Sequence, residues 1–262
     1  MNQKNFDYLK DQIKYNGFGE GLEGQLKENM KGQAPEFTLQ HHNTFGKDQT
    51  TTALHFKKSP SSEMYFFNSY LVSLKKGDQT EKINQSFYIE KSNNITLKEA
   101  FNLMHGRSVN KDLTNKEGQV YNAWVQLDFK NTDQNGNYKL KQFHQNYGFE
   151  LEKVLSKLPV KELGNQQDKS RLIESLQKGN RQSVTFTENG NEQKRLIEAN
   201  PQFKSITVYE VSGQRIRQDL SEKQSQNQSV SENRSQQIKP QADENTPSSV
   251  KAGKRKGLSV SQ

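Results

Sequence analysis

Apolar residues along this chain recur with two periods, and the changes of period mark its elements. Phe6, Leu9 and Ile13 fall at helical spacing, as do Leu22, Leu26 and Met30, so the first thirty residues predict two short helices. Between them, Gly17-Phe-Gly-Glu-Gly-Leu-Glu-Gly24 disfavours continuous helix and predicts a hinge. Alternation then takes over. Phe37 and Leu39, Leu54 and Phe56, then Phe66, Tyr70, Val72 and Leu74 within 64–74, and finally Ile83, Phe87 and Ile89 stand among polar neighbours. Turn chemistry at Gly46-Lys-Asp48, Ser59-Pro-Ser61 and Lys76-Gly-Asp78 separates these runs and predicts four antiparallel strands.

The helical period returns at Thr96. Thr96-Leu-Lys-Glu99 is a capping box, in which the hydroxyl accepts a helix-start N–H and the carboxylate reaches back. Leu97, Phe101 and Met104 form the stripe of the helix it opens, ended by Gly106. Leu151, Val154, Leu155 and Leu158 predict a helix ending before Pro159; Leu172, Ile173 and Leu176 predict another, with Gly179 just past its end. Leu103-Met-His-Gly-Arg-Ser-Val109 is similar to Leu176-Gln-Lys-Gly-Asn-Arg-Gln-Ser-Val184, with two extra residues after the glycine. Each leads to a turn glycine, Gly118 or Gly190, and closes on a related strand, 137–143 beside 201–208. The expectation is two copies of a helix followed by a small antiparallel meander.

The fold class predicted is therefore α+β, with antiparallel sheets and short amphipathic helices. Three parts are expected: helices and strands over 1–92, the two repeat units over 93–216, and a tail over 217–262. The tail lacks periodicity and runs through stretches such as Gln224-Ser-Gln-Asn-Gln-Ser229. Such a segment cannot bury enough surface to offset an ordering entropy of about 1–2 kcal/mol per residue, so disorder is expected there.

Composition sharpens this picture in three ways. Only 29% of the 262 residues are hydrophobic and mean hydropathy is −1.09, with no run near the ~20 apolar residues a membrane span needs. Thirty-eight basic against 30 acidic side chains leave a net charge of +8, which favours anionic partners, nucleic acid first. Lysine and glutamate are interspersed almost everywhere, however, so a solvated mixed-charge surface explains much of that balance. There is no cysteine, which excludes disulfides, thiolate metal sites and a cysteine nucleophile and fits a reducing compartment. The opening segment carries Asp7 and Asp11 and has no apolar h-region, so a cytoplasmic location is expected.

Several segments together are similar to a known group of sequences. They are Gly106-Arg-Ser-Val-Asn-Lys-Asp-Leu-Thr-Asn-Lys-Glu-Gly118 with Tyr121-Asn-Ala-Trp-Val-Gln-Leu-Asp-Phe129, Lys141-Gln-Phe-His-Gln-Asn-Tyr-Gly-Phe149, Lys178-Gly-Asn-Arg-Gln-Ser-Val184 and Glu198-Ala-Asn-Pro-Gln-Phe-Lys204. The chain resembles an uncharacterised family of Bacteroidota proteins carrying a repeated domain of unknown function, often encoded on conjugative and other mobile elements. The resemblance covers the body and leaves the tail aside. It implies a mobile-element setting but no activity, cofactor or catalytic residue.

Motifs for chemistry are few. Gly19-Glu-Gly-Leu-Glu-Gly24 fits a dinucleotide pattern, but a helix rather than a strand precedes it, and Glu20 and Glu23 would repel phosphate. No cofactor is expected. His41 and His42 point to opposite faces of a strand, His41 and His55 could meet across a hairpin, His105 sits at a helix end, and His144 closes a strand. Neither a catalytic triad nor a metal set stands out, and no enzyme is expected.

Trp124 is the residue with most to say. Tyr121, Ala123, Val125, Leu127 and Phe129 alternate onto one face of its strand, which puts Trp124, Gln126 and Asp128 on the other. If Lys139, Lys141 and Phe143 of the next strand share that face, the sheet carries an aromatic–basic platform of the kind that stacks bases and holds phosphates. Alternatively the Leu151–Leu158 helix covers it and Trp124 is core. Lys254-Arg-Lys256 in the tail adds a short basic cluster. The function expected is a non-enzymatic accessory binding module of a mobile element, associating weakly with DNA or RNA through Trp124, Gln126, Lys139, Lys141, Phe143, Lys254, Arg255 and Lys256. The alternative is a module that docks another protein of the element, or a second copy, without touching nucleic acid.

Overall fold

Residues 1–90 and 93–216 are described by a computed structural model, so the predicted tail at 217–262 lies outside the described residues. Two helices come first, α1 (Gln3–Ile13) and α2 (Glu23–Lys31), parted by a π-helical turn over Lys14–Phe18. The expected hinge is this turn: Gly17 takes φ 90° and Gly19 φ 70°, values that favour glycine, and the bend drives Phe18 into the core.

Strands β1 (Glu36–Phe45), β2 (Asp48–Lys58), β3 (Tyr65–Lys75) and β4 (Lys82–Tyr88) form the predicted antiparallel meander, in the order β1-β2-β3-β4. Leu39, Leu54, Tyr70, Val72 and Leu74 pack with Leu9, Leu26 and Met30 of the helices. Phe66 departs from expectation, being 50% exposed, while Tyr65 and Phe67 are buried. The reason is a bulge: His55 pairs with Ser69 but Phe56 with Phe67, so Asn68 is an extra residue that inverts the alternation on either side of it.

Helix α3 (Leu97–Met104) begins with the predicted capping box, Thr96 N–H donating to Glu99 Oε2 at 2.9 Å and Glu99 N–H to Thr96 Oγ1 at 3.4 Å. Its buried face closes the first core. A three-stranded sheet follows, β5 (Val109–Thr114), β6 (Val120–Thr132) and β7 (Tyr138–His144), in that order. Of the expected Leu151–Leu158 helix only Leu151–Leu155 is α-helical (α4); after it, Leu158 N–H bonds to Leu155 O, a tighter turn that brings the chain round before Pro159. Then come α5 (Gln166–Gln177) and a second meander, β8 (Gln182–Glu188), β9 (Asn191–Asn200), β10 (Ser205–Tyr209) and β11 (Arg215–Ile216), ordered β11-β10-β9-β8. No helix among the described residues is long and apolar enough to cross a membrane.

The two helix-plus-meander units are present, and their helices end alike. Arg107 N–H bonds to Asn102 O at 3.1 Å and Gly106 N–H to Leu103 O at 2.9 Å; Asn180 N–H bonds to Ser175 O at 3.1 Å and Gly179 N–H to Leu176 O at 3.0 Å. These are paired Schellman caps with left-handed glycines at Gly106 (φ 77°) and Gly179 (φ 75°). The likeness stops short of the last strand. Its second copy opens with a 3-10 turn over Pro201–Phe203, and β10 begins only at Ser205.

Two apolar cores result. One joins α1, α2, the first sheet and α3, and it runs on past residue 93 to Val109, Val125 and Leu127. The other joins Trp124, Phe149, α4 and α5 to the inner side of β8–β10. Strand β6 is the wall between them.

Candidate nucleic-acid interface

The alternation expected of β6 holds at its centre. Val125 and Leu127 turn to the first core, and Trp124 turns the other way. That other side is not a surface. Trp124 is 6% exposed, with the Phe149 ring edge-on at 5.3 Å and Leu151 and Leu155 in the same apolar cluster. A platform built on Trp124 is thereby overturned: the segment after β7 supplies more apolar surface than the sheet face can leave wet. Phe129, expected in the core, is 41% exposed near the strand end.

The remaining members of the predicted surface scatter. Gln126 donates to Gly106 O at 2.6 Å, tying β6 to the end of α3. Lys141 pairs with Asp128 at 3.0 Å. The Asp128 carboxyl is held down to about 2, first by a hydrogen bond from Asn131 and then by Lys141. Lys139 is exposed, and Phe143, across the ladder from Trp124, is half-buried. Lys254, Arg255 and Lys256 lie outside the described residues.

Phe143 has company that pattern reading missed. After β7 the chain makes a 3-10 turn over Gln145–Tyr147 and leaves through Gly148 at φ 82°. The turn lays Tyr147 with its ring centre 5.1 Å from that of Phe143. The Tyr147 hydroxyl donates to Gln202 O at 2.8 Å, which anchors the turn to the loop before β10. In that loop Lys204 adopts φ 49°, a left-handed conformation unusual for lysine, and its ammonium stands 4.7 Å from the Tyr147 ring centre. Phe203, next in chain, is 67% exposed, and Tyr147 is 38% exposed. Two loops far apart in sequence thus assemble an aromatic–basic patch. The one local signal for it was the pair of aromatics beside turn formers, Tyr147-Gly148 and Pro201-Gln-Phe203.

The histidines do not converge. His41 pairs with Thr52 and stands edge-on to Phe18 at 5.4 Å, whereas His55 bonds Thr38 on the outer side at 3.1 Å, so the two do not meet across the hairpin. His105, at the end of α3, is held below the ordinary imidazole range by burial, against the opposing pull of its bonds to Phe101 O and Asp48 Oδ2, each at 2.9 Å. His144 stacks loosely on Tyr121 at 5.3 Å. Comparison with protein-family models, with curated proteins and with solved structures finds no match to this chain.

Proposed function

We propose that this chain is a non-enzymatic accessory binding module that associates weakly with nucleic acid, in the mobile-element setting its sequence resemblance suggests. The observation that carries the reading is the patch of Tyr147 and Lys204 beside Phe143, with the exposed Phe203 adjoining Lys204 in the chain. Exposed rings offer stacking faces to unpaired bases at about 1–3 kcal/mol per base, and the lysine supplies a phosphate contact. Lys139 extends the basic surface along β7.

Fluorescence anisotropy of labelled single- and double-stranded oligonucleotides at two salt concentrations tests this. Single strands are expected to bind better than duplex and to weaken with salt. Phe203→Ala with Tyr147→Ala is expected to cost about tenfold or more in affinity, and Trp124→Phe nothing. Absence of binding at low salt ends the proposal.

A second reading, docking of another protein, draws on a crevice of about 270 Å³ between β4 and the second sheet, lined by Tyr88, Ile95, Leu113 and Leu140 among others. Tyr88 is 64% and Leu140 45% exposed. A concentration-dependent oligomer that Tyr88→Asp dissolves, without oligonucleotide binding, would put this reading first.

A further inference from the structure

The outer strands of the three sheets are β1 and β4, β5 and β7, β8 and β11. Each offers a row of backbone N–H and C=O groups to any strand that comes alongside, and most of these rows are closed. On β4, Ser86 N–H donates to Asn137 Oδ1 at 2.9 Å, and Gln85 Oε1 accepts from Tyr138 N–H at 2.9 Å, so the β6–β7 turn lies across it. On β8, Thr187 N–H bonds to Pro159 O at 2.8 Å and Thr185 N–H to the Glu162 carboxylate at 2.9 Å. β7 carries Lys139 and Lys141, β5 carries Lys111 and Asp112, and β11 is only two residues long. Charge and shortness both discourage a further strand from adding there.

Strand β1 has none of these defences. It is ten residues long, pairs with β2 without a bulge and contains no proline. From Phe37 to Phe45 it has no Lys, Arg, Asp or Glu, in a chain where 26% of residues are charged. Lys58 N–H bonds to Pro35 O at 2.8 Å, so the odd-numbered residues of β1 bond to β2. The N–H and C=O groups of Glu36, Thr38, Gln40, His42 and Thr44 therefore point outward. Thr44 N–H is taken by Asn43 Oδ1 at 2.7 Å. Among the described residues nothing bonds to the outward groups of the other four, and their side chains are exposed.

This row is complementary to itself. One two-fold antiparallel register uses all four open residues and spares Thr44: Thr38 stands opposite Gln40, and Glu36 opposite His42, with Leu39 on the axis. About eight N–H···O bonds then join the edges. A carboxylate faces an imidazole at both ends and a hydroxyl faces an amide between them, cross-strand pairs that stabilise a sheet. His42 Nδ1 lies 3.3 Å from Thr51 Oγ1, which leaves Nε2 for the carboxylate. A strand of another sequence would gain the backbone bonds without these side-chain pairs.

We infer that two copies of this chain pair through β1, antiparallel, with Glu36 of each opposite His42 of the other, joining two four-stranded sheets into one. The pairing uses neither the Tyr147 patch nor the Tyr88 crevice, so it stands or falls apart from both readings of function.

Sedimentation velocity of the full chain from about 10 µM to about 1 mM is expected to show a monomer–dimer equilibrium, weak because a strand edge alone is a small interface. Amide hydrogen exchange at Thr38, Gln40 and His42 is expected to slow as concentration rises. Gln40→Pro removes an outward N–H and none of the bonds to β2, so it should abolish the dimer and leave the circular dichroism of the monomer unchanged. His42→Glu sets two carboxylates opposite each other and should weaken the dimer about tenfold, whereas His42→Lys should hold or tighten it. These two variants keep the test decisive if proline disturbs the hairpin. Equal weakening by both overturns the register. A dimer that Tyr88→Asp dissolves and Gln40→Pro spares belongs to the crevice and overturns the pairing, as does a chain that stays monomeric throughout. Slow exchange of those amides at every concentration means that the chain covers its own edge, and overturns it equally.

Discussion

Gly179 and Gly190 have nearly the same backbone angle, φ 75° and φ 78°, yet they are not equivalent. A Cβ on Gly190 would meet open space, whereas one on Gly179 would lie 2.8 Å from Ser108 O and 3.0 Å from Val109 Cγ2. Gly190→Ala therefore carries only the left-handed penalty, about 1–2 kcal/mol. Gly179→Ala adds a clash with backbone and is expected to cost at least about 3 kcal/mol. Urea unfolding of both variants checks this, and equal losses would mean the close approach at Gly179 is not real. The sequence identified Gly179 as a helix terminator because that role is local. Its contact with Ser108 was hidden, since nothing near either residue announces the other. Trp124 teaches the same lesson. Alternation told which side of β6 it occupies, but what covers that side depends on Phe149 arriving from another segment.

At the level of elements, the two Schellman caps are joined to each other. The Asn102 side chain, in the last turn of α3, donates to Lys178 O at 2.6 Å and to Asn180 Oδ1 at 2.9 Å. One helix thus satisfies the free carbonyl end of the other. Asn102→Ala removes both bonds, one to a partly buried carbonyl, and is expected to cost about 1–3 kcal/mol. Combined with Gly179→Ala it should be less than additive, because both variants open the same joint; a double-mutant cycle reads the coupling directly. Helices, capping box and meanders were legible because each rests on period and turn chemistry within a short window. The patch at Tyr147, the bulge at Asn68 and the joint at Asn102 were not, because each depends on segments that meet only after folding.

The whole molecule responds to acid through two histidines. Burial lowers both His41 and His105, assisted by His42 at the first and by Arg107 and Lys76 at the second; the bonds of His105 to Phe101 O and Asp48 pull the other way without reversing the direction. Below about pH 6.5 the unfolded chain takes up these protons before the folded one does. Stability from this source is therefore complete above that pH and is lost as pH falls through and below it. The urea midpoint should drop between about pH 7.5 and about pH 5.5, and His41→Gln with His105→Gln should flatten the drop. A midpoint that rises toward acid would contradict the assignment.

The centre of strand β6 is dry on both faces, Val125 and Leu127 toward one core and Trp124 toward the other. During synthesis, residues 1–144 can complete their own side, but Trp124 stays open to water until Phe149 and the stretch through Val208 emerge. A nascent chain paused in that interval presents a sticky window in its middle sheet. A proteolytic cut after His144 recreates the same window in the finished protein, so the molecule has no point in this region where it divides into two halves that are each sound alone.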